Sequence, residues 1–542
     1  MLVATILWSM TLACQSKGGD DDVMNLLLLW FLVNNTNNTA SCSTVSDPLF
    51  SNQWHLSNTG QLGGTSGEDA NVTAVWSSGI CGSNISFAVV DDGLAIAHED
   101  LSPNVAAGKS YNYLNGGTDP SASSANHGTS VGGVLAARSN SIGVRGASPL
   151  GSLRGYNLLQ NSTSSNEADA MTRDVANVHI SNNSWGPTDL SGKLSDSSSI
   201  WRSAIDTGLS TGRSGLGTLY FWAAGNGDTS GSYAGIDNAN FDGYANYHGV
   251  MAVCAIGDDG KKASYSEQGA NLLVCAHSQG SSGKAITTTD NIGSLGYNTN
   301  GGSGNLSDTN YTNTFNGTSA ATPLAAGVTG LVLQANPNLG YRDVRLILAQ
   351  SARKNDASDS DWATNGAGMH INHKYGFGAV DANAAVTLAK TWTNIAAQKT
   401  YTTSTSSPSA TITDGSAVGV TSNIIVSGSG VSKIEFVAVN VTFSHNYYRD
   451  LEMILTAPSG TKSTILARGT SSGSPDGICV NLNTFSIEPN GNCSVNTTWR
   501  FGTTRHMQES ADGTWSLQVR DQGVRGTANG TFTSWNMKFY GY

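Results

Sequence analysis

The segment from residue 315 to 327 constrains the fold of this chain more than any other. It reads Phe-Asn-Gly-Thr-Ser-Ala-Ala-Thr-Pro-Leu-Ala-Ala-Gly, so a Gly-Thr-Ser turn leads into small residues typical of a closely packed helix. The Ser319 hydroxyl is therefore predicted at a helix N-terminus, where backbone N–H groups and the helix dipole favour developing negative charge. An acyl-transfer nucleophile needs that environment, although Gly-x-Ser turns also occur in ordinary loops.

Two other segments supply partners for this hydroxyl. An apolar run over residues 85–90 ends in Asp91 and Asp92, as a buried parallel strand does when it presents acids at its C-terminal edge. His127 begins a second stretch of small residues, which predicts another helix packed against a sheet. The chain order Asp, His, Ser is the subtilisin order and differs from the orders in chymotrypsin and the α/β-hydrolases.

The chain resembles the subtilisin-fold serine proteases of the kexin/furin (proprotein convertase) group. The motifs that carry this resemblance are Asp-Asp-Gly at 91–93, Ser-Trp-Gly-Pro at 184–187, Asp-Gly-Tyr at 242–244 and Tyr-Gly-Phe-Gly at 375–378. It implies an α/β catalytic domain over residues 47–392 with a doubly wound, mostly parallel sheet. It also implies that Ser319 attacks the scissile carbonyl, while His127 transfers the proton and Asp91 orients the imidazole.

The resemblance also assigns an oxyanion donor and a primary pocket. Asn226, in Trp-Ala-Ala-Gly-Asn-Gly, matches the side-chain amide that donates to the tetrahedral oxyanion, although an Asn beside Gly is otherwise usually a turn residue. Asp189 and Asp242 match the two acids of the primary pocket. Two carboxylates suit the planar fork of a guanidinium, so cleavage after Arg, with Lys second, is expected.

Further residues are expected along the substrate groove. The resemblance implies three groove residues, Ser184, Trp185 and Gly186. Asp92 resembles the acid that contacts a basic residue one position upstream of the cleaved one. Glu167 and Asp196 align with acids that furin uses further upstream, the second across a one-residue gap, and solvated surface charge explains both equally well. Because Ser124 stands where another furin acid is expected, the polybasic selectivity is predicted to be weaker than that of furin.

Calcium is the cofactor implied by the resemblance, at two sites. The loop over residues 139–144 resembles a subtilisin loop that wraps Ca²⁺ in hard oxygen donors. The first set of ligands carried over is Asp47, Asp100, the Asn140 side chain and the carbonyls of Arg138, Ile142 and Val144. The second set, beside the primary pocket, is Asp189, Asp237 and Glu267, three acids whose mutual repulsion calls for a cation. Without the resemblance, a lone loop aspartate would be interpreted as a turn cap.

Composition agrees with an exported enzyme. The chain has 542 residues, enough for two or three domains, and only 12% of them are charged, whereas 64 are glycine. Such a composition fits many close helix–sheet contacts. The net charge of −11 argues against a nucleic-acid partner and suits polypeptide substrates that carry basic residues.

Residues 1–46 are predicted to be an export signal followed by a flexible tether. The apolar stretch before Cys14 resembles a bacterial lipoprotein signal, in which that cysteine is lipidated and anchors the protein to a membrane. A conventional secretory signal is the alternative, because a positively charged start is missing and Thr11 replaces the usual leucine. The protein is therefore expected either in the bacterial cell envelope as a lipoprotein or in the secreted fraction.

Cysteine number supports export as well. The chain has 7 cysteines, and removing Cys14 for the lipid leaves an even number, which fits disulfides in an oxidising compartment. Neighbourhood in the sequence favours the pairs Cys42–Cys81, Cys254–Cys275 and Cys479–Cys493. Reduced, buried thiols are the alternative to this pairing.

The stretch between the signal and residue 47 is too short for the pro-domain that subtilisin relatives usually carry. Such a segment assists folding and inhibits the enzyme. We therefore expect either unaided folding or a separate folding and inhibitory partner.

Residues 393–542 change to short alternating strands. Segments 450–461 and 512–519 resemble the P domain of the convertases, which implies an all-β jelly-roll sandwich that stabilises the protease. Two alternatives to a basic-specific endopeptidase stay open here. One is a broad degradative subtilase, against which Asp189 and Asp242 argue, and the other is a silent adhesin, against which the complete set of catalytic residues argues.

Overall fold

A computed structural model of the chain shows an α/β part followed by an all-β part. It describes residues 42–228, 236–302, 304–469, 479–481, 486–488, 494–526 and 529–542. The predicted lipidation site Cys14 lies outside the described residues, and so does Cys493, so neither the lipid anchor nor the third disulfide is tested. In the described part of the chain, no helix is long and apolar enough to cross a membrane.

Six strands form the main sheet of the α/β part. They are β1 (Ser86–Val90), β2 (Ser152–Tyr156), β3 (Ile180–Asn183), β4 (Leu219–Ala223), β5 (Val250–Ile256) and β6 (Leu272–His277). Their order is β2-β1-β3-β4-β5-β6, and all neighbouring pairs are parallel. The strands are short and buried along almost their whole length, as parallel strands covered on both faces are.

Helices cover both faces of this sheet. They are α1 (Thr73–Ser77), α2 (Asn126–Ala136), α3 (Ser164–Thr172), α4 (Ser199–Thr211), α5 (Thr318–Ala335), α6 (Tyr341–Ser351) and α7 (Ala382–Lys390). Phe87 and Val89 of β1 pack in one core with residues of α2 and α5, whereas Ala88 and Val90 pack in another with residues of α3 and α4. Successive strand residues point to opposite faces. The predicted doubly wound α/β fold is therefore confirmed.

Two short antiparallel pairs complete the α/β part. They are β7 (Ile286–Thr289) with β8 (Tyr311–Phe315), and β9 (Ala363–Thr364) with β10 (His370–Ile371). Strand β8 leads directly into α5. It thereby delivers the Gly-Thr-Ser turn to the C-terminal edge of the main sheet.

The all-β part consists of β11 (Lys399–Thr402), β12 (Ala410–Thr413), β13 (Val420–Val426), β14 (Ile434–His445), β15 (Leu451–Thr456), β16 (Lys462–Leu466), β17 (Cys479–Asn481), β18 (Ser486–Glu488), β19 (Val495–Thr503), β20 (Gly513–Asp521) and β21 (Asn529–Gly541). One antiparallel sheet has the order β11-β21-β14-β19, with β12 also on β21, and a second has β13-β20-β15-β16. Their inner faces share one core, in which Trp515 of the second sheet lies 5.1 Å from Phe539 of the first. This is the predicted all-β sandwich.

The two parts contact each other through buried polar pairs. Arg342 of α6 forms a 2.8 Å ion pair with Glu435 of β14, and Asn240 donates from Nδ2 to the Gly502 carbonyl at 2.9 Å. The predicted domain boundary at residue 392 falls in the connection between α7 and β11.

Two of the three predicted disulfides are present. Cys42 pairs with Cys81, and Cys254 on β5 pairs with Cys275 directly opposite on β6. All four cysteines are buried. Both predictions are confirmed, and they fit an oxidising environment.

Candidate active site

Strand ends and helix starts converge on one cavity of about 350 Å³ at the C-terminal edge of the main sheet. Four of the residues that line it are the predicted catalytic residues Asp91, His127, Asn226 and Ser319. Open α/β sheets place their functional groups at this edge. The structure thus brings together residues that are up to 228 positions apart, from Asp91 to Ser319.

Ser319 lies in the first turn of α5. The preceding Gly317 has φ +80°, a left-handed conformation that favours glycine, and a Cβ there would lie 3.3 Å from Asn226 Oδ1. The Ser319 hydroxyl donates to the Ser184 carbonyl at 3.1 Å, and the Ser184 hydroxyl donates to the Ser319 carbonyl at 3.1 Å. The predicted contact of Ser319 with His127 is therefore not made in this conformation, as is common before substrate binds.

Asp91 and His127 form the expected pair. His127 Nδ1 lies 2.8 Å from Oδ1 of Asp91, which directly follows β1 and is fully buried. Burial acts to lower the pKa of His127, but the charge and hydrogen bond of Asp91 outweigh it and raise this pKa above its ordinary value. Asp91 thus orients the imidazole, and the charges of Asp91 and Asp92 both raise its pKa.

Asp92 holds the start of the helix that carries His127. Its Oδ2 accepts the backbone N–H of His127 at 3.2 Å, and its Oδ1 accepts the backbone N–H of Gly128 at 2.8 Å. Burial and the charge of Asp91 raise the pKa of Asp92 to about 7. Gly128 is required because a Cβ there would clash with the Gly93 carbonyl. Asp92 also lines the cavity, so its predicted contact with substrate stays a prediction.

Asn226 is oriented by the residue before the serine. Its Oδ1 accepts the Thr318 N–H at 2.8 Å and the Thr318 hydroxyl at 3.0 Å. This fixes the amide with its NH₂ group turned away from Thr318. Sequence reasoning missed Thr318 as an orienting residue, although it stands inside the Gly-Thr-Ser motif.

Four acids line the same cavity beyond Ser319: Asp189, Asp237, Asp242 and Glu267. Burial, opposed by backbone hydrogen bonds, raises the pKa of Asp242 to about 7, and Asp189 adds to this. Burial raises the pKa of Asp237 to about 6 against the opposing charge of Arg449. Burial and the neighbouring acids hold the pKa of Glu267 well above its usual range. The cavity is therefore an acidic pocket that favours a cation.

Groove residues Ser184, Trp185 and Gly186 also line the cavity. The indole of Trp185 donates to the Val90 carbonyl at 3.0 Å and lies edge-on to Trp222 at 4.6 Å. A Cβ at Gly186 would lie 3.1 Å from Asp242 Oδ2. Trp185 is thus held against strands β1 and β4, and Gly186 lies close to Asp242.

Glu167 and Asp196 do not line this cavity. Glu167 accepts the Tyr244 hydroxyl at 3.0 Å, behind the groove wall. Asp196 is half exposed and pairs with Arg202 at 3.0 Å and Arg500 at 3.5 Å. Their predicted role toward upstream substrate residues stays a prediction, and for Asp196 the contacts favour a surface ion pair.

The loop predicted for the first calcium site presents suitable oxygens. Asp47 Oδ1 accepts the N–H groups of Asn140 and Ser141 at 3.0 Å each, and its Oδ2 pairs with Arg145 at 2.7 Å. Asp100 Oδ2 accepts the Val144 N–H at 2.8 Å. The other oxygen of Asp100 is buried without a hydrogen-bond partner, and burial raises the pKa of this carboxyl to about 8. A buried, unpartnered carboxylate oxygen fits a hard cation.

The second predicted calcium site is not a preformed cage. Among the residues that the structure describes, no three His, Cys, Asp or Glu side chains are grouped to hold a metal. Asp189 instead accepts the Asn226 N–H at 2.9 Å, Glu267 accepts the Gly227 N–H at 3.0 Å, and Asp237 accepts the Gly192 N–H at 2.6 Å. Backbone donors thus satisfy part of the charge for which the prediction invoked a cation.

Two apolar residues of the cavity wall were missed in the sequence. Leu159 follows β2, and Phe241 precedes the acid Asp242. Neither carries a chemical signal in the sequence, since isolated apolar residues in loops are common.

Comparison with known proteins agrees with this architecture. The subtilase family profile matches residues 82–378, and the proprotein convertase P-domain profile matches residues 434–539. Neuroendocrine convertase 2 of Drosophila melanogaster is 32% identical over 514 residues, which cover 92% of this chain and 72% of the fly protein. Furin of Rattus norvegicus is 31% identical over 510 residues, which cover 92% of this chain but only 58% of the rat protein.

Solved structures give the same result. The serine protease of Aeromonas sobria, in a crystal structure with the chaperone ORF2, matches with a TM-score of 0.82 and 28% identity, over 93% of this chain and 97% of that one. Fold and site together define a serine endopeptidase with a subtilisin-like catalytic part. The chain belongs to the subtilase family and, with its P domain, to the kexin/furin-type proprotein convertases.

Proposed function

We propose that this protein is an exported, calcium-dependent endopeptidase that cleaves polypeptides after Arg and, less readily, after Lys. The observation that carries the proposal is that Asp189 and Asp242 line the cavity that opens at Ser319. A guanidinium bound between two carboxylates places the carbonyl of the same residue at the hydroxyl. Bidentate pairing favours Arg over the point charge of Lys.

The reaction follows from the positions of four side chains. Ser319 Oγ attacks the carbonyl and passes its proton to His127, whose pKa is raised by Asp91. His127 then returns the proton to the leaving amine. The Asn226 amide, held by Thr318, and the N-terminus of α5 stabilise the tetrahedral oxyanion. Water then attacks the carbonyl of the acyl-enzyme in the same way, which breaks the ester bond to Ser319 and frees the hydroxyl again.

Calcium is proposed at the 139–144 loop. Asp47, Asp100 and Asn140 would hold the ion, together with the carbonyls of Arg138, Ile142 and Val144. The ion would supply the positive charge that the unpartnered Asp100 oxygen needs and would fix the loop. A second calcium site is proposed at Asp189, Asp237 and Glu267, and its support is the resemblance to the kexin/furin family.

A separate folding partner is proposed as well. The Aeromonas sobria protease, whose match covers 93% of this chain, is described in complex with a chaperone. We propose that a dedicated chaperone assists this enzyme too and keeps it inactive until release. Two buried disulfides support export, and Cys14 is the proposed lipid attachment site if the signal is of the lipoprotein type.

The test is hydrolysis of peptide amides that carry Arg, Lys, Phe or Leu before the scissile bond. It compares wild type with Ser319→Ala, each with and without a calcium chelator. Strong cleavage after Arg that is lost in the variant and weakened by the chelator supports the proposal. Preference for Phe or Leu would refute the acidic-pocket assignment and leave a broad subtilase. Hydrolysis unaffected by the chelator would refute the calcium dependence.

A further inference from the structure

Two adjacent residues of the all-β part reach the primary pocket of the α/β part. Tyr448 and Arg449 lie in the short 3-10 turn Tyr448–Asp450 that leads into β15, and both side chains are buried, with exposed fractions of 6% and 1%. They lie more than two hundred residues after Asp189, Asp237 and Asp242 in the chain. Buried tyrosine and arginine side chains need polar partners, so their contacts show what they stabilise.

Arg449 supports one wall of the pocket. Its Nη2 donates to the Ile236 carbonyl at 2.6 Å, directly before the acid Asp237. Its guanidinium carbon lies 4.6 Å from the centroid of Phe241, which lines the cavity beside Asp242. This distance is that of a cation–π contact. One side chain thus joins the two ends of the 236–242 wall.

Tyr448 supports the opposite wall. Its hydroxyl donates to the Gly192 carbonyl. The N–H groups of Ser191 and Gly192 in turn donate to Asp237 at 3.1 and 2.6 Å. The loop that carries Asp189 is therefore hydrogen-bonded both to Tyr448 and to the wall that carries Asp237.

We propose that Tyr448 and Arg449 are positioning residues that set the selectivity of the primary pocket, so that the P domain completes the substrate specificity of the catalytic part. This inference rests on the proposed function, since it takes the pocket acids as the site of the substrate's Arg. The acids lie on loops rather than on strands, and like charges drive such loops apart. Tyr448 and Arg449 contact both loops and so fix the distance between the acids, on which their pairing with a guanidinium depends.

The test separates substrate positioning from catalysis. Tyr448→Phe, Arg449→Met and Arg449→Lys are compared with wild type in KM and kcat for Arg and Lys peptide amides. A second readout is the rate at which a small, neutral alkyl fluorophosphonate labels Ser319, because this reagent does not need the pocket. Tyr540→Phe is the matched control, since Tyr540 lies at the same interface, stacked 4.0 Å from His248, which does not line the cavity.

The expected result is a selective loss in KM. Tyr448→Phe raises KM for the Arg amide about three- to tenfold, and Arg449→Met about ten- to a hundredfold, with Arg449→Lys between wild type and Arg449→Met. The kcat and the labelling rate stay within about twofold, as for a change in uniform binding. Tyr540→Phe leaves KM unchanged.

Other outcomes have distinct meanings. An unchanged KM in Tyr448→Phe and Arg449→Met overturns the inference. A fall in labelling rate that parallels the change in KM also overturns it, and so does an equal effect of Tyr540→Phe. Either of these two results would mean that the residues only dock the P domain on the catalytic part. A wild type that does not prefer Arg refutes the proposed function instead. If Arg449→Met fails to fold, Tyr448→Phe still decides, because it removes only one hydroxyl.

Discussion

The catalytic centre and the acidic pocket share one cavity but are supported in different ways. Asp91, His127 and Ser319 stand at strand ends and helix starts, and other residues of the α/β part hold them, as Asp92 holds the start of α2. The pocket acids stand on loops, and partners from a distant part of the chain, Tyr448 and Arg449, hold those loops. The reacting groups therefore depend on contacts within the α/β part, whereas selectivity depends on packing between the α/β part and the all-β part. This contrast predicts which changes affect all substrates and which affect only basic ones.

The largest effect is expected for Ser319→Ala. Removal of the nucleophile lowers kcat by about 10⁶-fold for every substrate, as loss of a triad member does. Affinity for an Arg-containing peptide, measured by calorimetry, stays the same because the pocket acids are untouched. Ser203→Ala on the exposed face of α4 is the control and keeps full activity. Loss of peptide binding in Ser319→Ala would contradict the separation of the two regions.

Asn226→Ala is expected to lower kcat by about 10²–10³-fold. The loss should be equal for Arg and Lys amides, since the oxyanion is common to both. The control is Asn316→Ala, because Asn316 is an exposed amide just before α5, the helix that begins with Thr318. A loss confined to KM would contradict the oxyanion role.

Asp189→Asn tests the pocket. We expect kcat/KM for the Arg amide to fall by about 10–10²-fold, because the substrate guanidinium loses one of its two carboxylate partners. Labelling by the neutral fluorophosphonate should hardly change. Asp196→Asn is the matched control, because Asp196 lies outside the cavity and pairs with Arg202 and Arg500. A strong effect of that control would instead assign Asp196 to an upstream subsite.

The pH dependence tests the His127–Asp91 pair. His127 acts as a base only when neutral, and its pKa is raised above the ordinary value. The fluorophosphonate labelling rate should therefore fall about tenfold per pH unit below a pKa that exceeds 6.5. Asp91→Asn should shift this limb to lower pH. If the labelling rate of wild type falls only below pH 6, burial lowers the pKa of His127 more than Asp91 raises it.

The sequence predicted the centre better than its surroundings. The placement of Asp91, His127, Asn226 and Ser319 at one cavity could be predicted because each stands in a contiguous motif at a strand end or helix start. The Ser319 hydroxyl turned toward Ser184 could not, because a single side-chain rotation is not specified by a motif.

Contacts between distant segments were also beyond the sequence. The Asp196–Arg500 pair spans 304 positions, and nothing local to either residue indicates the other. Arg449 against Ile236 is a similar case, with 213 positions between them. The family resemblance and the mutual repulsion of three acids predicted the second calcium site, but backbone N–H donors already contact each of these acids. Such donors lie in the fold and are not visible in residue types.

Mapping the bonds that the enzyme cuts in an unfolded polypeptide tests directly whether Asp189 and Asp242 form an arginine pocket. Mass spectrometry identifies every new C-terminus after limited digestion by wild type and by Ser319→Ala. We expect C-termini that are mainly Arg with a minority of Lys, and no new termini with the variant. New termini spread over apolar residues would contradict the assignment of Asp189 and Asp242 to an arginine pocket.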